Sequence, residues 1–199
     1  MMKPTQILSG EHRIIEVLLD CLEELTGQAL QSHKLDRQPA LQIIDVIRNF
    51  ADKCHHGKEE THLFAKLSDK GMPRESGPVG QMLREHEQGR AFVQTMASSM
   101  EAASQGNADA LRQFVAGARG YVELLRAHIQ KEDGVLFPLA DRVLSEAEQE
   151  TLSGAFARVE AEHMGAGTHE KYFAIAEALA AEFGLSLAGI KTKACGCGH

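Results

Sequence analysis

The sequence predicts an all-α protein, an up-down-up-down four-helix bundle followed by a C-terminal two-helix appendage. Three observations carry this reading. The 199-residue chain has no Trp, 5% aromatic residues and few β-branched runs, and Ala, Leu, Glu, Gln and Arg, which favour helix, fill most segments. Apolar residues recur at steps of three and four through four long segments. Clusters of Gly, Pro, Ser and Asn separate those segments, as turn residues do.

Helix 1 is expected from about Thr5 to Leu30, with Leu8, Ile15, Leu19 and Leu22 on one stripe. Helix 2 is expected from about Pro39, a good first-turn residue, to Ser68, with Ile44, Ile47, Ala51 and Leu63 facing inward. Residues Lys70 to Pro78 hold two Gly and two Pro and read as a loop. Helix 3 follows from about Val79 to Ala103, and Gln105-Gly106-Asn107 closes it. Helix 4 runs from about Ala108 to Leu136, where Pro138 should kink or end it for want of an amide proton. Four long helices with three connections fit a bundle.

A smaller unit comes next. Ser145 and Glu148 are spaced as a capping box and open a helix expected to reach about Met164. Gly165-Ala166-Gly167-Thr168 breaks it, and a last helix is expected from about His169 to Phe183. The tail, ending Cys195-Gly196-Cys197-Gly198-His199, is expected to be poorly ordered. The domain reading is therefore a bundle over residues 1–144 and a helical extension with a Cys-containing tail over 145–199.

Bulk properties narrow the function. The net charge is −7 with no basic stripe, which argues against a nucleic acid partner. No apolar stretch approaches the roughly 20 residues a spanning helix needs. The first residues lack the apolar core of a leader segment, so the expected location is cytoplasmic. Four cysteines do not make a disulfide framework at this length.

Histidine placement is the informative signal. Helix 4 carries Leu111, Phe114, Ala118, Tyr121, Leu125, His128, Glu132 and Leu136 on one stripe, so His128 and Glu132 occupy core positions. His12 sits on the stripe of helix 1, between Leu8 and Ile15, and His86 on that of helix 3, after Val79 and Leu83. Helix 2 offers two His/Glu pairs at i, i+4. Stepping back from His55 meets Ala51, Ile47 or Arg48, and Ile44, whereas stepping back from His56 meets Asp52, Arg48 or Asn49, and Asp45, a polar face. An internal repeat agrees: Lys58-Glu59-Glu60 with Leu63-Phe64 matches Lys131-Glu132-Asp133 with Leu136-Phe137, which pairs His55 with His128 and Glu59 with Glu132. His56, His62 and His33 are expected to face solvent, with His56 and Glu60 as the fallback pair. Met82, Met96 and Met100 are read as core filler, and Cys21 as core or boundary.

Two buried carboxylates need compensation, since even a neutral polar group buried alone costs roughly 2–7 kcal/mol. A cation supplies it. The candidate metal ligands are His12, His55, Glu59, His86, His128 and Glu132, a donor set of imidazole and carboxylate that suits iron or manganese and by ligand type also admits zinc. No residue is assigned a catalytic role, and turnover as an enzyme is left open. A purely structural bundle would need these groups to neutralise one another as buried ion pairs, which is rarely favourable. Cys195, Cys197 and His199 are one ligand short of a tetrahedral site.

The pattern His12, His55-x-x-x-Glu59, His86, His128-x-x-x-Glu132, together with Lys-Glu-Glu-x-x-Leu-Phe and Lys-Glu-Asp-x-x-Leu-Phe-Pro, resembles the hemerythrin-like HHE cation-binding family over about residues 5–145. The resemblance implies two iron ions bridged by the Glu59 and Glu132 carboxylates and an oxo or hydroxo group. It also implies a small diatomic or peroxide ligand, in sensing, detoxification or iron handling, with a homodimer or redox partner left open. The alternative is an iron donor for repair of iron–sulfur centres, which the terminal Cys-x-Cys would suit. The oxygen carriers of that family have His-x-x-x-His on helix 3, whereas this chain has Arg90 four residues after His86, one imidazole fewer. They pair the helix 4 His with an Asp at i+5; Asp133 sits there, but stripe and repeat favour Glu132.

Overall fold

Lys3, in extended backbone, leads into α1 (Pro4–Ser32), with Pro4 in the first turn, where a missing N–H goes unmissed. The structure is a computed structural model that describes residues 2–161 and 168–185, with side chains at 2–161 and 171–185. His33 ends α1 in the left-handed conformation, φ 55°. The Asp36 carboxylate accepts the Gln38 N–H and starts α2 at Arg37, two residues ahead of the expected Pro39. This rod begins as Arg37–Val46, widens into π-type turns over Ile47–His56 and Glu59–Leu63, and closes as Phe64–Asp69.

After a turn through Gly71 (φ 90°), α3 runs Gly77–Ser104. Gly106 (φ 87°) turns the chain and the Asn107 side chain accepts the Ala110 N–H to cap α4, Ala108–Lys131. The expected end or kink at Pro138 is replaced by continuation. A wide turn, Glu132–Leu136, precedes it, with the Phe137 N–H bonded to the Glu132 carbonyl. Pro138 then falls in the first turn of Phe137–Val143, where its lack of an N–H is tolerated. The Ser145–Glu148 capping box is present and opens α5, Glu146–Val159. α6 spans Thr168–Glu182. Among the described residues there is no strand, and the fold is all-helical.

The core lies in two buried clusters with a polar layer between them. One gathers Ile15 and Leu19 of α1, Ile47 and Ala51 of α2, Val93 and Met96 of α3, and Tyr121 and Leu125 of α4. The other gathers Leu8, Leu63, Phe64, Val79, Met82, Leu136 and Phe137. His12, His55, Glu59, His86, His128 and Glu132 fall between them in each helix, which follows from their places in the helical stripes. The C-terminal helices pack into both clusters: Tyr172, Ala176, Leu179 and Ala180 of α6 into the first, Leu152 and Phe156 of α5 into the second. Of the other expectations, Cys21 is buried and Met82 and Met96 lie in the core. The Gly165–Gly167 break and the Cys195–His199 tail lie outside the described residues, as do His163 and the side chain of His169, which flank that break in the sequence.

Candidate metal centre

The polar layer brings together all six candidate ligands read from the sequence and adds a seventh. His12, His55, Glu59, His86, His128 and Glu132 are each no more than 2% exposed. His56, expected in solvent, is 3% exposed and belongs to the same layer. The correction has a local cause. In an α-helix neighbouring residues are turned about 100° apart and cannot share a face. The wide i→i+5 turns of Ile47–His56 rotate successive residues less, so His55 and His56 both point inward. His62 is half-buried and His33 exposed.

Among the described residues the donor atoms form two groups, each with all its ligand atoms within 4.8 Å of one another. The first is His12, His55, Glu59 and Glu132; the second is His56, Glu59, His86 and His128. Glu59 is common to both. Its Oε1 lies 3.5 Å from His55 Nε2 and its Oε2 3.4 Å from His86 Nε2. Glu132 Oε2 likewise lies 3.2 Å from His12 Nε2 and 3.3 Å from His128 Nε2. Each carboxylate thus touches both groups.

A second ring of carboxylates orients the imidazoles. The Nδ1 of His12 faces Asp133 at 2.9 Å, that of His55 faces Glu11 at 2.9 Å, and that of His128 faces Glu85 at 2.8 Å. His86 Nδ1 faces Glu60 at 2.7 Å, and His56 Nδ1 faces Asp52 at 3.4 Å. In this arrangement Nδ1–H donates outward and the Nε2 lone pair is left pointing into the layer, as in metal-bound histidines. All five imidazoles share it. Glu60, once the fallback ligand, is instead an orienting group, and Asp133 orients His12 rather than joining Glu132 in the layer.

The bases of these carboxylates are themselves held. Arg90 donates to Asp52 at 2.9 Å and to Glu60 at 2.6 Å, which ties the partners of His56 and His86 together. Arg13 pairs with Asp133. Lys58 pairs with Glu11, and Lys131 with Glu85. The repeat seen in α2 and α4 therefore extends to α1 and α3: Glu11-His12 corresponds to Glu85-His86. Those Glu-His pairs were readable in the sequence, but nothing local said which imidazole each Glu would meet.

The layer is electrostatically incomplete by itself. Both oxygens of Glu59, both of Glu132, and Nε2 of His12 and of His56 are buried with no hydrogen-bond partner among the described residues. The Nε2 atoms of His86 and His128 stand 3.1 Å apart, so with both Nδ1 protons donated outward a proton or a cation must lie between them. Burial and the neighbouring Glu132 push Glu59 well above the usual carboxylate range, while His128 and His12 hold Glu132 well below it despite burial. Burial pushes His55 down to about 3 and His86 down to about 2, the neutral form that ligates metal. Against burial, Glu132 and Glu85 raise His128 to about 9. Cations in the two groups would satisfy the orphaned atoms, and imidazole with carboxylate is a suitable donor set for iron.

A cavity of about 250 Å³ reaches the layer at His56 and His86, walled by Tyr121, Arg90 and Asp52, with exposed Arg48 among its lining residues. Gly89 lines it too. A Cβ there would meet Leu125 and Tyr121 at 3.6 Å, ordinary contact, so helix packing does not require the glycine.

An all-helical protein with a buried His/Glu layer of this kind is defined by its capacity for cations. The chain belongs to the hemerythrin HHE cation binding domain family, whose model matches residues 3–140. It is 26% identical over 159 residues to uncharacterized proteins of Mycobacterium bovis and Mycobacterium tuberculosis, covering 79% of this chain. The chain spans about three fifths of the length of these curated relatives (61%). No solved structure matches it. No described helix is long and apolar enough to cross a membrane.

Proposed function

We propose that this is a cytoplasmic non-haem di-iron protein that binds or reacts with dioxygen, peroxide or nitric oxide, in sensing, detoxification or iron handling. The observation that carries the reading is the shared orientation of five imidazoles, each with Nδ1 on a carboxylate and Nε2 turned toward two buried carboxylates. On this reading α1 to α4 alternate in direction as an up-down-up-down bundle. His12 and His55 would hold one iron and His56, His86 and His128 the other, with Glu59 and Glu132 shared. Bound iron would supply a redox-active Lewis acid to a small ligand.

The two ends are unequal. In the repeat, His56 corresponds to Ile129, so the His12/His55 end has one imidazole fewer and leaves room for an exogenous ligand. His12 stacks on Phe137, ring centroids 5.4 Å apart and nearly parallel, beside the apolar cluster of Leu8, Leu63 and Leu136. Such walls exclude water and suit a small ligand of low polarity. The deep burial of every donor favours a resident centre over the alternative of an iron donor, which must release its metal. Metal analysis and visible absorbance of the purified protein, with dioxygen and peroxide consumption, test the reading. About two irons per chain and a ligand-sensitive absorbance are expected. Zinc alone, or iron transfer to an apo iron–sulfur protein with no ligand response, would overturn it.

A further inference from the structure

The two halves of the repeat place Lys58 and Lys131 in matching roles. Each lysine is paired with a glutamate, Glu11 or Glu85, whose other oxygen takes the Nδ1–H of a layer histidine, His55 or His128. Their surroundings differ. The Lys131 side chain is 42% exposed and, among the described residues, pairs with Glu85 alone. Lys58 is wholly buried and its Nζ makes a second ion pair, 2.7 Å from Glu160 Oε1, with the Phe156 ring 5.9 Å away.

Both additions come from the end of the chain. Phe156 lies on α5 and Glu160 follows directly after it, beyond residues 3–140 that the family model matches. A buried ammonium needs full compensation, and here Glu11 is shared between that ammonium and the His55 imidazole. We propose that Glu160 and Lys58 are positioning residues, through which the C-terminal extension fixes Glu11 against His55 and so sets how firmly this imidazole holds its cation. Glu160, one-third exposed, places the outer end of this chain of charges at the surface. The proposal rests on the cation reading of the layer for its consequence, but its geometric part concerns protein groups alone.

The test uses the full chain with Glu160→Gln, Lys58→Met and, as the matched control, Lys131→Met. Two quantities are measured: the rate at which a chelator strips iron from the loaded protein, with its visible spectrum, and the His55 ring NMR resonances of the metal-stripped protein. Glu160→Gln and Lys58→Met should speed metal loss about tenfold, the lower end for an orienting partner. They should also shift the His55 ring signals, while Lys131→Met, whose partner Glu85 meets His128 instead, leaves the His55 signals in place. Lys58→Met leaves Glu11 buried without its cation; should that variant fail to fold, Glu160→Gln, altered at a part-exposed atom, decides. Unchanged His55 resonances in Glu160→Gln overturn the proposal whether or not the protein takes up metal. Failure of the native chain to load any metal would instead overturn the cation reading, leaving the NMR comparison to judge the positioning role.

Discussion

His56 stacks on His86, ring centroids 3.8 Å apart and 16° from parallel, and the carboxylates that hold the two Nδ1 atoms are joined by Arg90. Arg90 occupies the position where the family's oxygen carriers place a helix 3 histidine. His56 of α2 supplies an imidazole at this end, and the Arg90 guanidinium bonds the carboxylate that faces its Nδ1. One end of the layer thereby has three imidazoles and the other two.

That asymmetry predicts an unequal loss of metal. His56→Leu should lower iron from about two toward about one per chain, while His62→Ala leaves it unchanged; metal analysis after gel filtration reads both. Two irons retained in His56→Leu would show that this imidazole is a bystander in the layer.

The shared carboxylates behave differently from the orienting ones. Glu59→Ala or Glu132→Ala should empty most of the site, because each touches both donor groups. Glu60→Ala should keep metal at saturation but raise its dissociation rate about tenfold, since His86 loses its Nδ1 partner. Stopped-flow chelation separates the two outcomes, and a Glu60→Ala protein empty of metal would reverse the assignment.

Stability of the metal-stripped protein should peak near pH 6.5. His55 and His86 are held neutral, at about 3 and about 2, so below 6.5 the unfolded chain takes up protons that the folded one refuses, and stability falls. His128 is raised to about 9, so its contribution is complete below 6.5 and is lost as pH rises through about 9. Each differential proton is worth about 1.4 kcal/mol per pH unit. Glu11, held to about 2 by Lys58 and His55 against burial, adds a further loss between pH 4.5 and 2. Chemical denaturation across pH 4–10 measures the curve, and a stability still climbing at pH 9 would contradict it.

A chain ending at Leu144 keeps every proposed ligand and should bind about two irons, though less firmly, because Glu160 and the cover over Lys58 are gone. It also loses Phe156, fully buried in the second cluster. Phe156→Ala alone should cost about 3–5 kcal/mol, read by thermal or urea melts. A truncation that folds with half the metal would point to a ligand from beyond residue 144.

Local sequence determined the helical class, the stripes of α1 to α4 and six members of the polar layer. Helical period and burial are properties of a single segment, and a His or Glu on an apolar stripe is visible without knowing its neighbours. The tertiary structure decided the rest. His56 turned inward because the ladder of α2 widens to i→i+5 bonds, which a 3.6-residue period cannot register. Glu11, Glu85 and Asp133 found their imidazoles across helices, so their roles depended on which rods lie side by side. Lys58 and Lys131 sit in the same local motif, yet only Lys58 is buried, because α5 returns from far along the chain to cover it. Periodicity carries which face a residue shows; only packing decides what that face meets.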